Sequence, residues 1–113
     1  MKTKLMMKEL YRPLKRGVIM QKKIYKLRGE IDDHASRRLS REIDSLISPD
    51  EPIELILDMS DVTLMDSSGI GLLLGRFKKI KRAGGRLKIA APSKNADRIL
   101  SLAGIYEIIK KAK

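Results

Sequence analysis

The spacing of apolar residues changes along this chain. In some segments it has the two-residue repeat of a strand, and in others the repeat of three or four residues of a helix. Residues 17–28 alternate loosely, which predicts one or two strands. Residues 33–47 place apolar side chains three or four apart, which predicts a helix, and SPDEP at 48–52 is typical of a loop. The mostly apolar run at 53–59, IELILDM, favours a strand that is buried on both faces.

The second half of the chain continues this alternation of element types. The elements predicted there are a turn at 60–66, a helix at 69–82, a strand at 86–91, a helix at 93–102 and a last strand at 105–110. Arg76 and three neighbouring lysines are expected to point away from the apolar face of their helix. Because helices join consecutive strands, the order predicts an α/β fold whose central strands are parallel.

The composition excludes several kinds of site. The chain has no Cys and one His, His34, so thiolate chemistry, Cys-based zinc sites and His-based triads or metal sites are not expected. Three Tyr and one Phe are too few for a platform that stacks the bases of single strands. The sequence shows no membrane-spanning run and no secretory signal. We therefore expect a cytoplasmic, non-enzymatic protein without catalytic residues, cofactor or metal.

The net charge of +11 is divided unevenly along the chain. Residues 1–28 carry ten basic residues and one acidic residue. Residues 29–66 carry three basic and eleven acidic residues, and residues 67–113 carry twelve basic and two acidic residues. A protein that binds nucleic acid or an anionic membrane through a basic arm has this pattern, and so does one whose acidic surface faces a basic partner. We expect residues 1–16 to be a basic N-terminal extension and residues 17–113 to be the domain.

The segment TLMDSSGIGLLLG at 63–75 places small hydroxyl residues between an apolar strand and a helix. A nucleophilic serine on such a turn needs G-x-S-x-G, but Met65 and Asp66 occupy the positions two before the serines. A phosphate-binding Walker loop needs a Lys, which this segment lacks. Two interpretations stay open: Asp66, Ser67 or Ser68 caps the helix, or a serine is modified.

Modification at this junction has a clear physical basis. A serine at a helix N-terminus lies where free amide groups and the helix dipole favour an anion. A phosphate there adds a charge of about −1.5 to −2 without unwinding the helix, so that a partner docked over the junction is repelled. Gly69, Gly71 and Gly75 leave one side of the helix nearly bare, either for contact with a partner or for close packing on the sheet.

The junction and its flanks resemble the STAS domain family, specifically its bacterial anti-anti-sigma factors. The segments that carry the resemblance are LMDSSGIGLLLGRFKKIKRAGG at 64–85, LRGEIDDHAS at 27–36 and RILSLAGIYEIIK at 98–110. The resemblance implies a mixed sheet of about four or five strands flanked by about three helices. It also implies a partner switch. The unmodified protein binds an anti-sigma factor that is also a serine kinase, phosphorylation dissociates the complex, and a serine phosphatase resets it.

The resemblance assigns roles to individual residues. It implies phosphorylation of Ser68, with Ser67 the less favoured acceptor, and contact between Asp32 and the kinase. The expected partner-contact surface comprises Asp32, Asp33, Asp66, Ser67, Ser68, Gly69, Ile70 and Gly71. Asp32 or Asp33 is also expected to cap the first helix. Asp33 stands where many relatives have a histidine, which adds negative charge to this surface.

Departures from the family pattern keep other functions open. The start is longer and more basic than usual. The sequence ends just after the predicted last strand, so the family's final helix is not expected, and exposed apolar surface there would favour a homodimer. One alternative is a STAS scaffold or accessory subunit outside sigma control, of the stressosome or lipid-transport type. The other is a protein that binds nucleic acid or an anionic membrane surface.

Overall fold

The computed structural model describes residues 20–112 and shows a parallel sheet whose strands are joined by helices. The elements are β1 (Gln21–Ile31), α1 (Asp33–Asp44), β2 (Ile53–Met65), α2 (Ser67–Arg82), β3 (Arg86–Ala90), α3 (Lys94–Leu102), a 3-10 helix (Ile105–Glu107) and β4 (Lys110–Lys111). Within this range the strand order is β1-β2-β3-β4, and every pairing is parallel. The predicted α/β fold, with three helices and parallel central strands, is confirmed, whereas the antiparallel strand pairing that a mixed sheet requires does not occur among the strands of residues 20–112. The expected extension at 1–16 lies outside the described residues.

Alternate residues of the strands pack under the helices in one core. The buried positions in the first half of β2 are Ile53, Leu55, Leu57 and Met59. The residues between them are only partly buried. There Glu54 lies 3.6 Å from the amino group of Lys22 and 3.0 Å from that of Lys88. The expectation of a strand buried on both faces is therefore wrong, because one face carries ion pairs between neighbouring strands.

The sequence predicts that Arg76 points away from the apolar face of its helix. This prediction is wrong, because Arg76 is buried. Its Nε lies 2.8 Å from Oδ1 of Asp44, the last residue of α1, and Nζ of Lys79 lies 2.7 Å from Oδ2. The Nε–Oδ1 contact is short but misaligned for a hydrogen bond, so it is an ion pair. The two cations offset the unfavourable position of a carboxylate at a helix C-terminus. They also fasten α1 to α2.

The second half of β2 occupies residues 60–65, which the sequence predicts as part of a turn. Two irregularities in the pairing with β1 place extra residues in β2. As a result, the buried positions in this part of the strand are Met59, Val62 and Met65, three residues apart. β2 consequently continues beyond the last residue that pairs with β3, Asp58. This extension determines where α2 begins.

The predicted last strand at 105–110 is wrong over most of its length. Ile105–Glu107 form a 3-10 helix, and β4 contains only Lys110–Lys111. Ile105 and Ile109 are both buried. Their spacing of four residues suits a helical turn rather than a strand.

Candidate functional site

The ends of β1 and β2 bring the predicted contact residues together at the carboxyl edge of the sheet. Ile31, the last residue of β1, pairs with Met65, the last residue of β2. The backbone amide of Asp66 donates a hydrogen bond to the carbonyl oxygen of Ile31 at 3.3 Å. Asp32 and Asp66 therefore follow adjacent strand ends, and α1 and α2 start side by side. In parallel α/β sheets this edge commonly carries the binding site.

Each of these aspartates caps the helix that follows it. Oδ1 of Asp32 accepts a hydrogen bond from the backbone amide of Ala35 at 2.8 Å. Oδ1 of Asp66 accepts one from the backbone amide of Ser68, also at 2.8 Å. Both aspartates have extended backbone, as N-cap residues do. Asp32 rather than Asp33 thus caps α1, and Asp66 rather than a serine caps α2.

Ser67 and Ser68 form the start of α2, two residues before the predicted start at Gly69. Ser67 is exposed and Ser68 is partly buried. Neither hydroxyl has a hydrogen-bond partner within residues 20–112. A modification of either hydroxyl would consequently break no hydrogen bond in the described part of the chain.

The expectation of free amide donors under the serines is wrong for Ser68 and Gly69. The amide of Ser68 donates to the Asp66 side chain at 2.8 Å, and the amide of Gly69 donates to the Asp66 carbonyl oxygen at 3.0 Å. The cap thus occupies two of the donors that an anion would use, and it places a carboxylate next to Ser68. A phosphate here therefore adds to the local negative charge and does not have these two donors at its disposal.

Exposed carboxylates give this edge of the sheet an acidic surface. Asp32, Asp33 and Asp66 are all exposed. Asp33 forms an ion pair with Arg37, one turn later on α1, at 2.8 Å. Asp32 and Asp66 have no ion-pair partner in the part of the chain that the structure describes. The negative charge added by Asp33 is therefore partly balanced, while that of the two caps is not.

The three glycines near the start of α2 have different surroundings. A Cβ on Gly69 would lie 2.5 Å from Cγ of Met65 and 3.3 Å from Cγ2 of Ile31. An added Cβ on Gly71 or Gly75 would meet nothing within 4 Å. Close packing on the sheet, one of the two explanations that the sequence leaves open, therefore holds for Gly69 and is wrong for Gly71 and Gly75.

The end of β2 also exposes an apolar residue that the sequence does not single out. Leu64 is 55% exposed and lies opposite Glu30 near the end of β2. An apolar residue within a predicted turn is the signal that could have revealed it. Among the expected contact residues, Ile70 is partly buried, Gly71 is exposed, and Gly69 is buried.

Other features of the described residues lie apart from the serines. Burial and a hydrogen bond to Glu42 raise the pKa of Tyr25 to about 12. Hydrogen bonds from Ser60, first from its backbone amide, lower the pKa of Asp58. Residues 20–112 contain no group of three His, Asp or Glu side chains that could hold a metal ion. No helix in the same range is long and apolar enough to cross a membrane.

Comparison with known proteins places this geometry in a family. The model of the STAS domain matches residues 14–113. An anti-sigma F factor antagonist of Paenibacillus polymyxa is 32% identical over 94 residues, which cover 83% of this chain and 77% of that protein. An anti-sigma-B factor antagonist of Bacillus subtilis (strain 168) is 33% identical over 81 residues, which cover 72% of each.

A solved structure has the same fold. The anti-sigma factor antagonist SpoIIAA in its unphosphorylated form matches with a TM-score of 0.69 and 27% identity, over 85% of this chain and 84% of that chain. The structure of the Bacillus cell fate determinant SpoIIAA in the phosphorylated form matches with a TM-score of 0.63 and 27% identity, over 85% of this chain and 86% of that chain. The resemblance drawn from the sequence is thus confirmed, and this chain belongs to the STAS domain family.

Proposed function

We propose that this protein is an anti-sigma factor antagonist: it binds an anti-sigma factor, a sigma factor is released, and phosphorylation of Ser68 ends the binding. The observation that carries the proposal is the serine pair at the start of α2, whose hydroxyls have no partner in the described structure. The two relatives above are named antagonists of anti-sigma F and anti-sigma-B factors, and SpoIIAA has a phosphorylated and an unphosphorylated form. These names support a switch controlled by phosphate. The proposed domain is 17–113, preceded by a basic extension at 1–16.

The proposed docking surface is the acidic edge at the starts of α1 and α2. Its members are Asp32, Asp33, Asp66, Ser67, Ser68, Ile70 and Gly71, and Gly69 supports it from beneath. Uncompensated carboxylates favour a partner with a basic face. The open space over Gly71 lets the backbone or a large side chain of that partner approach the helix closely.

A phosphate on Ser68 would act on this surface through charge and bulk. It adds a charge of about −1.5 to −2 next to the carboxylate of Asp66. A partner that packs closely against the unmodified hydroxyl would instead contact a dianion. Removing water from that dianion is unfavourable and opposes docking. The cap of α2 comes from the Asp66 side chain, so the first turn persists while its surface changes.

The proposed partners follow from this mechanism. A serine kinase, which we take to be the anti-sigma factor itself, adds the phosphate, and a serine phosphatase removes it. Ser67 is the alternative acceptor because it is the more exposed of the two. We propose that Asp32 contacts the kinase as well, and its position after the strand end adjacent to that of Asp66 supports this contact.

Reconstitution with a candidate anti-sigma kinase and ATP tests this function. We expect binding before ATP is added, and mass spectrometry should then locate the phosphate on Ser68. Ser68→Ala should abolish phosphorylation, whereas the matched variant Ser67→Ala should retain it. Phosphate on Ser67 alone would transfer the role to that residue. Binding without phosphorylation of either serine would reject the switch, and a lack of binding to anti-sigma factors would reject the function.

A further inference from the structure

A second surface lies towards the other end of α2, where this helix passes the edge formed by β3 and β4. The structure has a groove of about 480 Å³ at this place. Three apolar and four cationic side chains line it: Phe77, Leu87 and Ile108, with Lys81, Arg86, Lys88 and Lys110. Lys81 is thirteen residues from Ser68 along α2, which corresponds to about 20 Å. The groove is therefore separate from the serine site and does not depend on the proposed switch.

The positive charge of this groove is not balanced within the described residues. Lys88, which also lines it, is paired with Glu54 at 3.0 Å. Lys81, Arg86 and Lys110 have no ion-pair partner within residues 20–112. No carboxylate from this range lines the groove. Such a site favours an occupant that carries negative charges around an apolar centre.

The β3 edge adds a backbone component to the groove. β4 pairs with β3 only at Lys88 and Ile89. Among the described strands, Arg86 and Leu87 thus have no partner on this side. An extended peptide can add to such an edge through main-chain hydrogen bonds while its alternate side chains enter a pocket. The apolar lining beside this edge provides that pocket.

Two other occupants fit these observations less well. Residues 1–19 carry six Lys and Arg residues and one acid, so their charge has the same sign as that of the groove. A nucleic acid could pair with the cations but would find only one aromatic ring in the lining, that of Phe77. We propose that this groove docks an acidic segment of a partner protein, whose carboxylates flank at least one large apolar side chain.

Fluorescence anisotropy with the full chain at physiological salt tests the proposal. The probe is a short labelled peptide in which glutamates flank two leucines. Two controls are used. A second labelled peptide has serines in place of the leucines and the same charge, and a labelled DNA oligonucleotide is negatively charged but has no apolar side chains. We expect the leucine peptide to bind at least about tenfold more tightly than either control, because only it can fill the apolar lining.

Charge-reversal variants locate the binding. Lys81→Glu should lower the affinity for the leucine peptide about fivefold. Lys78→Glu makes an equal change at an exposed position of α2 outside the groove, and it should leave the affinity unchanged. Arg86→Glu repeats the test from β3 without altering the helix, and circular dichroism verifies that each variant folds.

Several outcomes would overturn the proposal. Equal binding of the serine peptide or the oligonucleotide, or an equal loss in Lys78→Glu, would mean that net charge alone binds. Failure of the leucine peptide to bind would remove the site. Self-association of the chain that Lys81→Glu abolishes would identify a second copy as the occupant and reject a partner segment.

Discussion

Replacement of Gly69 by alanine tests whether the start of α2 lies as close to the strand ends as the structure places it. The added Cβ would lie 2.5 Å from Cγ and 2.9 Å from Sδ of Met65, and 3.3 Å from Cγ2 of Ile31. Both neighbouring side chains belong to the core, and Met65 is only 9% exposed. Either Met65 or the first turn of α2, with Ser68 on it, must therefore move.

Two effects of opposite sign determine the change in the free energy of unfolding. Alanine is more favourable than glycine within a helix by about 1 kcal/mol. Overpacking of a close-packed site costs about 1–3 kcal/mol. Gly69→Ala should thus range from neutral to a loss of about 2 kcal/mol. Gly71→Ala carries only the helix effect, because an added Cβ meets nothing within 4 Å, and it should stabilise the protein by about 0.5–1 kcal/mol.

Urea unfolding followed by circular dichroism measures this contrast. The free energies of unfolding of the two alanine variants should differ by about 1–3 kcal/mol, with Gly69→Ala the less stable. Gly75→Ala, another position with open space, should behave like Gly71→Ala. If Gly69→Ala stabilises the protein as much as these two controls, α2 does not approach the strand ends closely, and the structural reason for a glycine after Ser68 is wrong.

Two further predictions concern charged groups. Asp44→Ala should cost about 2 kcal/mol because it leaves Arg76 buried without a counter-ion, whereas Arg76→Met should cost less because Lys79 still pairs with Asp44. Thermal unfolding compares them, and equal losses would argue against an ionic role. A hydrogen bond from Lys88 holds the pKa of Glu54 below its usual value. The ionised Glu54 carboxylate therefore stabilises the folded protein. This stabilisation is fully present above the pKa of Glu54 in the unfolded chain and is lost as pH falls through its pKa in the folded protein. Glu54→Gln should flatten the acid side of a plot of Tm against pH, and an unchanged slope would contradict this assignment.

The order of elements was predictable because each local pattern needs only nearby residues. The first half of β2 was recognisable as a strand from its apolar run, although its partly polar face was not expected, and the apolar residues of α2 recur at helical spacing. The second half of β2 was not predictable, since its irregular pairing with β1 puts the buried residues Met59, Val62 and Met65 three apart. The burial of Arg76 depends on Asp44, which lies on another helix and becomes its neighbour only when α1 and α2 pack.

The candidate site shows the same division between local and long-range information. The sequence places a serine pair and aspartates at two helix starts, and both helix starts are present. It does not reveal that the Asp66 side chain accepts a hydrogen bond from the amide of Ser68, because this depends on the conformation of the Asp66 side chain. Gly69 and Gly71 look alike in sequence. They differ because only Gly69 faces Met65 and Ile31, and strand pairing brings those two side chains together.

The affinity of the anti-sigma factor for the unmodified and the Ser68-phosphorylated protein decides whether charge at the start of α2 controls docking. Isothermal titration calorimetry gives both dissociation constants, and thermal unfolding of both forms reports on the fold. We predict that the phosphate weakens binding at least about a hundredfold, or about 2.7 kcal/mol, while Tm changes by less than about 3 °C. Equal affinities, or a loss of affinity that accompanies unfolding, would contradict a switch that acts by charge on an intact fold.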